Sequence, residues 1–298
     1  MTGITQSMVA LEPARLVRIE RRRGSTAVVT RYRGAEGAAV HDAMTGLWAS
    51  PLGRDREGRP GMPQPLGFDE RTGELTTAWV PGTPLGEPGR VEGAFSRAVE
   101  VGNLLADLHG SGVVVDRVRD RRELARSVGR QVAGVAADPT TSGVVLEAFI
   151  DASLAVDRAW VQDEAPRRLV LSHGALTPRV VLAADRGGLV LTDFDRLQLA
   201  EPERDLAHWA AWLWVTDGAF GTPDTPELLG DLVCGYAARA RRAPADRAAL
   251  EVHLAVCLVR IAHGWAALRR DPMTRVRVLR VAAALADRHP TRRADRAG

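Results

Sequence analysis

The apolar positions of this chain follow two different periods, and the change between them divides the sequence. Near the N-terminus, Arg15 to Arg23 (RLVRIERRR) and Thr26 to Arg33 (TAVVTRYR) have strand composition around a Gly24-Ser25 turn, which predicts a β-hairpin. Residues 1–13 carry no such pattern and are expected to be a loose leader. Ala35 to Ala49 predicts a helix, residues 50–64 a Gly/Pro-rich loop, and Leu75 to Val80 a strand that Pro81-Gly82 ends. Helical periodicity then takes over. Phe95, Val99, Leu104, Leu105 and Leu108 share one face of a long helix over Val91 to His109. Residues 119–165 predict one or two helices with a break at Asp138-Pro139. Leu206 to Val215 predicts a strongly apolar helix, and three more are expected near 226–241, 244–268 and 273–289, before a disordered tail. Between the two helical blocks lies a second small β module. It comprises the run LVLS at 169–172, the strands Val180 to Ala183 and Leu189 to Thr192, and an Asp185-Arg186-Gly187-Gly188 turn.

Composition narrows the class. The 298 residues are 45% hydrophobic and 26% charged, enough to bury a large core as one domain or two lobes. No apolar run approaches the roughly 20 residues of a membrane span, and the first fifteen residues lack the pattern of a signal peptide, so a cytoplasmic protein with no membrane partner is expected. Cys234 and Cys257 lie in helical patterns without metal spacing and read as reduced thiols. Forty basic residues face 37 acidic ones, and every basic residue is Arg; the chain contains no Lys. The Arg are dispersed and no aromatic platform interleaves them, so nucleic acid is not an expected partner. An Arg-only, Ala- and Gly-rich composition points to a GC-rich genome such as that of an actinobacterium. One pair of residues carries candidate chemistry outright: Asp193 and Asp195, directly after a strand, are placed to hold a hard cation such as Mg²⁺.

The module as a whole resembles the catalytic segment of the aminoglycoside phosphotransferase / choline kinase family. That family's pattern is H-G-D-L-x-x-x-N, a hairpin, I-D-x, then G-D-P-x-x-D-L-A. The matching residues are His173-Gly174-Ala175-Leu176, Val180 in the Asn place, Thr192-Asp193, Glu201-Pro202 and Asp205-Leu206-Ala207, aligned without gaps. Further likenesses lie at Pro65 to Phe68, at the hinge-like stretch ending Val80-Pro81-Gly82, and at Leu104 to His109. The resemblance implies an α+β, protein-kinase-like bilobal fold. Its small β-rich N-lobe would span residues 1–82, and its larger helical C-lobe residues 83–298, with the catalytic-loop-like module at 169–207.

The same resemblance implies lost chemistry. Ala175 stands where the family has its catalytic Asp, Val180 where it has a metal-binding Asn, and Thr30 where a strand Lys meets the phosphates of ATP. Asn103 is the only Asn and lies far from the loop in sequence. Glu36 and Asp42, candidate partners of the absent Lys, read as surface residues. His173, His109 and Asp205 imply scaffold roles. What remains for a cofactor is the neighbouring Arg31 as an alternative phosphate donor, the backbone of Ala78 and Val80 for adenine, and Asp193 with Asp195 for metal. ATP and Mg²⁺ are therefore expected to bind weakly or not at all. The resulting expectation is a pseudokinase that binds a small molecule, a peptide or a partner enzyme in a natural-product or resistance pathway. The alternative is a divergent, active phosphotransferase acting on a hydroxyl of a small molecule or on Ser/Thr of a ribosomal precursor peptide. For a basic ligand, the acidic run Asp217, Asp224, Glu227 and Asp231 offers a surface, and Arg275, Arg277 and Arg280 on the last helix offer the opposite charge.

Overall fold

The computed structural model describes residues 7–9, 16–22, 25–53, 59–86, 92–161, 167–216, 225–240, 246–265, 268 and 270–288. The N-terminal sheet has five antiparallel strands in the order β1-β2-β3-β5-β4. They are β1 (Ser7–Val9), β2 (Leu16–Arg22), β3 (Ser25–Arg31), β4 (Pro65–Asp69) and β5 (Glu74–Ala78). The expected hairpin is present, with Leu16 opposite Arg31 and Arg22 opposite Ser25. Part of the expected loose leader is not loose: Ser7–Val9 adds a strand to the edge of β2, Ser7 facing Ile19. An edge strand's unpaired backbone groups accept such an addition whatever the added side chains are, so no periodicity announces it. Helix α1 (Glu36–Trp48) packs on β4 and β5, burying Ala43, Met44 and Leu47.

A short strand, β6 (Gly82–Pro84), leads out of this sheet and pairs with the central module. A Cβ on Gly82 would lie 2.6 Å from the Ala183 carbonyl oxygen, so only glycine allows the two backbones to come this close. The long helix expected over 91–109 is two: α2 (Glu92–Ser96) and α3 (Ala98–His109). Ser96 Oγ donates to the Gly93 carbonyl at 3.3 Å, a local bond that competes with the helix ladder at the break. Helices α4 (Arg121–Ala137) and α5 (Gly143–Val161) meet the expected break. The Asp120 carboxylate caps α4 by accepting from Glu123 N. The remaining elements are β7 (Val170–Ser172), β8 (Val181–Ala184), β9 (Leu189–Leu191), β10 (Gln198–Ala200), α6 (Glu203–Thr216), α7 (Thr225–Ala240), α8 (Arg247–Gly264) and α9 (Pro272–Asp287). β6, β8 and β9 form one sheet, and β7 pairs with β10.

Helix α6 is the buried axis of the helical part. Leu206, Trp209, Leu213 and Trp214 are at most 2% exposed, and α7 and α8 pack on either side. Of the arginines expected to form a basic face on the last helix, Arg275 does not belong to it. Arg275 is buried, donates from Nε to the Ala262 carbonyl at 2.8 Å, and lies 4.8 Å over the Phe149 ring, because its aliphatic stem fills the α5–α9 contact. Arg277 and Arg280 are exposed. In the acidic run, Asp231 is exposed on α7, whereas Asp217, Asp224 and the side chain of Glu227 lie outside the described residues. No described helix is long and apolar enough to cross a membrane.

Candidate active site: a kept frame around an altered loop

The loop after β7 is held by one carboxylate. Asp205, fully buried in the first turn of α6, accepts from His173 N at 2.7 Å and from Gly174 N at 3.0 Å. His109, at the end of α3, meets the same carboxylate through Nε2 at 3.1 Å, and its Nδ1 lies 3.1 Å from the Tyr236 hydroxyl. Burial alone would raise the Asp205 pKa, but the His109 bond and the neighbouring imidazole and amide dipoles overcome it and hold the acid ionised. His109 and Asp205 thus take the scaffold roles expected of them, and the hydroxyl of Tyr236 is a third member of this network. Gly174 has φ +78°, and a Cβ there would lie 2.3 Å from the Arg196 carbonyl oxygen, so the loop requires glycine at this position. His173 donates from Nε2 to the Thr192 carbonyl at 2.8 Å, which leaves Nδ1 to accept Ala175 N at 3.4 Å. Thr192 closes the far side, with its N and Oγ1 on the Val180 carbonyl at 2.8 and 3.0 Å.

A second buried cluster braces the start of α6. Glu201 accepts a two-pronged bond from Arg121 at 2.7 and 3.0 Å and lies 3.3 Å from His253 Nε2. Burial raises the Glu201 pKa, but these two partners outweigh it and bring it down to about 2. Glu201 belongs to the matched Glu201-Pro202 step, but its partners Arg121 and His253 lie on α4 and α8 and left no mark in the sequence.

On this frame the side chains that the resemblance sets at reactive positions are small or apolar. Ala175 and Val180 are half-buried, and Val180 packs against the main core. Thr30 lies on the face of β3 opposite the buried Ala27 and Val29. Arg31 is exposed and its Nε donates to the Thr72 carbonyl at 3.2 Å, at the β4–β5 turn. The Ala78 amide is committed to the Gln64 carbonyl at 2.8 Å, while Val80 makes no backbone bond among the described residues.

The two candidate metal ligands differ. Asp193 is exposed and is the only described non-glycine residue with positive φ, at 62°. It initiates a tight turn, Phe194 to Arg196, whose Phe194 ring packs 5.7 Å from His173. Asp195 accepts a hydrogen bond from the Tyr32 hydroxyl, which joins the end of β3 to the module. The stretch Thr26 to Arg33 that contains Tyr32 carries no local sign of this role. Among the described residues no group of three or more His, Cys, Asp or Glu side chains is placed to hold a metal ion.

The fold is protein-kinase-like. It is similar to a choline/ethanolamine kinase family protein from Mesorhizobium loti, with 15% identity, 95% of this chain and 92% of that chain covered, and a TM-score of 0.64. Choline kinase LicA from Streptococcus pneumoniae gives 11% identity, 93% and 92% coverage and a TM-score of 0.61. A macrolide 2'-phosphotransferase from Brachybacterium faecium gives 18%, 91% and 92%, and 0.55. No curated protein matches the sequence. A sequence model described as the phosphotransferase enzyme family matches residues 12–251. That span contains β3, the loop after β7 and the Asp205–His109–Tyr236 network that holds it, and on it the chain belongs to the phosphotransferase enzyme family.

Proposed function

We propose that this chain is a pseudokinase, a phosphotransferase-family protein that works by binding rather than by phosphoryl transfer. One observation carries the reading: Ala175 and Val180 occupy the reactive places of a loop whose supports, His173, Gly174, Thr192 and Asp205, are all in position. A loop that had merely drifted would not keep a fully buried carboxylate on two of its amides.

ATP and Mg²⁺ are the group the family implies, and the residues present do not fit them well. Phosphoryl transfer depends on positioning and on charge stabilisation by a Lys, metal ions and metal-holding side chains. The chain has no Lys, Val180 offers no ligand, and Asp195 is already bonded to Tyr32. Loss of a general base alone typically costs about 10²–10⁴-fold in rate. The structure of LicA in complex with AMP is that protein's property. Here the Val80 backbone, which makes no bond among the described residues, can still meet an adenine edge, so weak nucleotide binding fits the reading. The second reading, a divergent phosphotransferase of small-molecule or peptide hydroxyls, is favoured by Asp193 alone. It is exposed and held in a left-handed conformation, a backbone state that clusters at functional sites.

Restoring the missing groups tests the reading. The variant Thr30→Lys/Ala175→Asp/Val180→Asn is expected to acquire Mg²⁺-dependent ATP binding that the native chain lacks, measured by calorimetry. If apolar side chains fill the cleft, the new charges instead lower stability by several kcal/mol, about the size expected for buried unpaired polar groups. No gain in binding with unchanged stability would show that these three positions do not face one cleft.

A further inference from the structure

Helices α5 and α9 pack on each other and both pack on α8, so they share one outward face. They run parallel. Val145 and Pro272, near their starts, line one cavity, Arg275 lies over the Phe149 ring, and near their ends Arg158 pairs with Asp287 at 2.9 Å. The Phe149–Arg275 contact fixes which residues are level across the pair. Glu147 and Met273 each stand two residues before it, Asp151 and Arg277 two residues beyond it, and Leu154 and Arg280 five residues beyond it. All six are exposed.

Two features of this face go beyond what a solvated helix surface needs. The first is apolar. On α5 the exposed positions Val144, Glu147, Asp151 and Leu154 recur at alternate steps of three and four, the spacing of a helix seam. Val144, Leu154 and Met273 are at least 50% exposed, on stripes that a surface helix normally keeps polar. The second is the sorting of charge by helix. At these levels α5 carries the acids Glu147 and Asp151, and α9 carries Arg277 and Arg280. The two stripes do not close on each other within one chain. Among the described residues Arg158–Asp287 joins α5 to α9, and no ion pair joins these two acids to these two arginines.

A face with opposite charges sorted onto parallel helices complements itself. We propose that two copies of this chain associate through it, α5 of each on α9 of the other, about a two-fold axis parallel to the helices. Such an axis keeps every residue at its own level. Glu147 then meets the partner's Met273, Asp151 meets the partner's Arg277, and the aliphatic stem of the partner's Arg280 covers Leu154. The interface is isologous, so each contact is made twice. A two-fold axis running across the helices would instead set α5 on α5 and α9 on α9, acid against acid and arginine against arginine. With 19 and 16 residues the helices are about 24–28 Å long, and set about 8–10 Å apart they offer roughly 500 Å² per copy. A total of roughly 1,000 Å² stands at the lower limit of specific interfaces, which makes this a weak, concentration-dependent dimer. The face uses none of Thr30, Ala175, Val180 or Asp193, so it stands or falls independently of the pseudokinase reading.

Sedimentation velocity of the full chain tests this, at about 1–200 μM, a range that brackets the expected Kd on the order of 10 μM. The native chain should pass from monomer to dimer across the range, and less readily as salt is raised. Asp151→Arg and Arg277→Asp, each at an exposed position, should keep the native Tm and each weaken dimerisation by about tenfold or more, because each sets like charges together twice. The combined variant Asp151→Arg/Arg277→Asp exchanges the two signs and should recover an affinity within a few-fold of the native one. That recovery is something a merely structural effect of either change does not give. A native chain that stays monomeric at low salt and the highest concentration would overturn the proposal and leave the face to a different protein. A dimer indifferent to both single reversals would overturn it too, as would a combined variant no better than the single ones.

Discussion

Asp205→Ala is expected to destabilise the protein by about 3–5 kcal/mol, the range for removing one partner of a buried charged network. The carboxylate serves His173 N, Gly174 N and His109 at once, with no solvent to replace it. Its loss leaves two loop amides and an imidazole N–H buried without acceptors, each an unmet polar group. Asp205→Asn should cost less, because one oxygen can still accept, but its amide N–H₂ must face a donor. Chemical denaturation gives the values directly. A loss below about 1 kcal/mol for the alanine variant would mean that the loop is not anchored through α6.

Gly102→Ala should be the second large effect, and it runs against helix propensity. A Cβ at Gly102 on α3 would lie 2.2 Å from the Leu232 carbonyl oxygen, and one at Gly235 on α7 would lie 2.2 Å from that of Val99. The two helices meet backbone to backbone at reciprocal glycines. Alanine improves helix propensity by about 1 kcal/mol, but the added methyl must push two packed backbones apart, a penalty of about 1–3 kcal/mol or more. Net destabilisation of up to about 2 kcal/mol is expected for Gly102→Ala, again from denaturant midpoints. The control is Gly129→Ala on α4, where nothing lies within 4 Å of the new methyl; it should stabilise by several tenths of a kcal/mol or more. Equal effects at the two sites would refute the close α3–α7 contact.

The parts of the fold that were legible in the sequence are those whose partners lie nearby in the chain. The β2–β3 and β8–β9 hairpins show alternation around short turns, and α6 shows itself by its run of Trp and Leu. The three-residue strands β1, β6 and β10 were not legible, because each is defined by the strand it joins rather than by its own pattern. The same holds for the site. His173 and Asp205 keep a recognisable spacing, so the frame could be read. The Tyr32–Asp195 bond and the bonds of Glu201 to Arg121 and His253 join distant segments and left no local mark.

The central claim is that the frame survives while the phosphoryl-transfer groups do not. Calorimetric titration of the native chain with ATP, with and without Mg²⁺, tests it most directly. The prediction is at most weak binding, with a Kd on the order of 1 mM or more, and no strengthening by Mg²⁺, because no Lys meets the phosphates and no Asn helps hold a metal. A Mg²⁺-dependent Kd of about 10 μM or tighter would contradict the account and would make Asp193 the metal ligand of a working phosphotransferase.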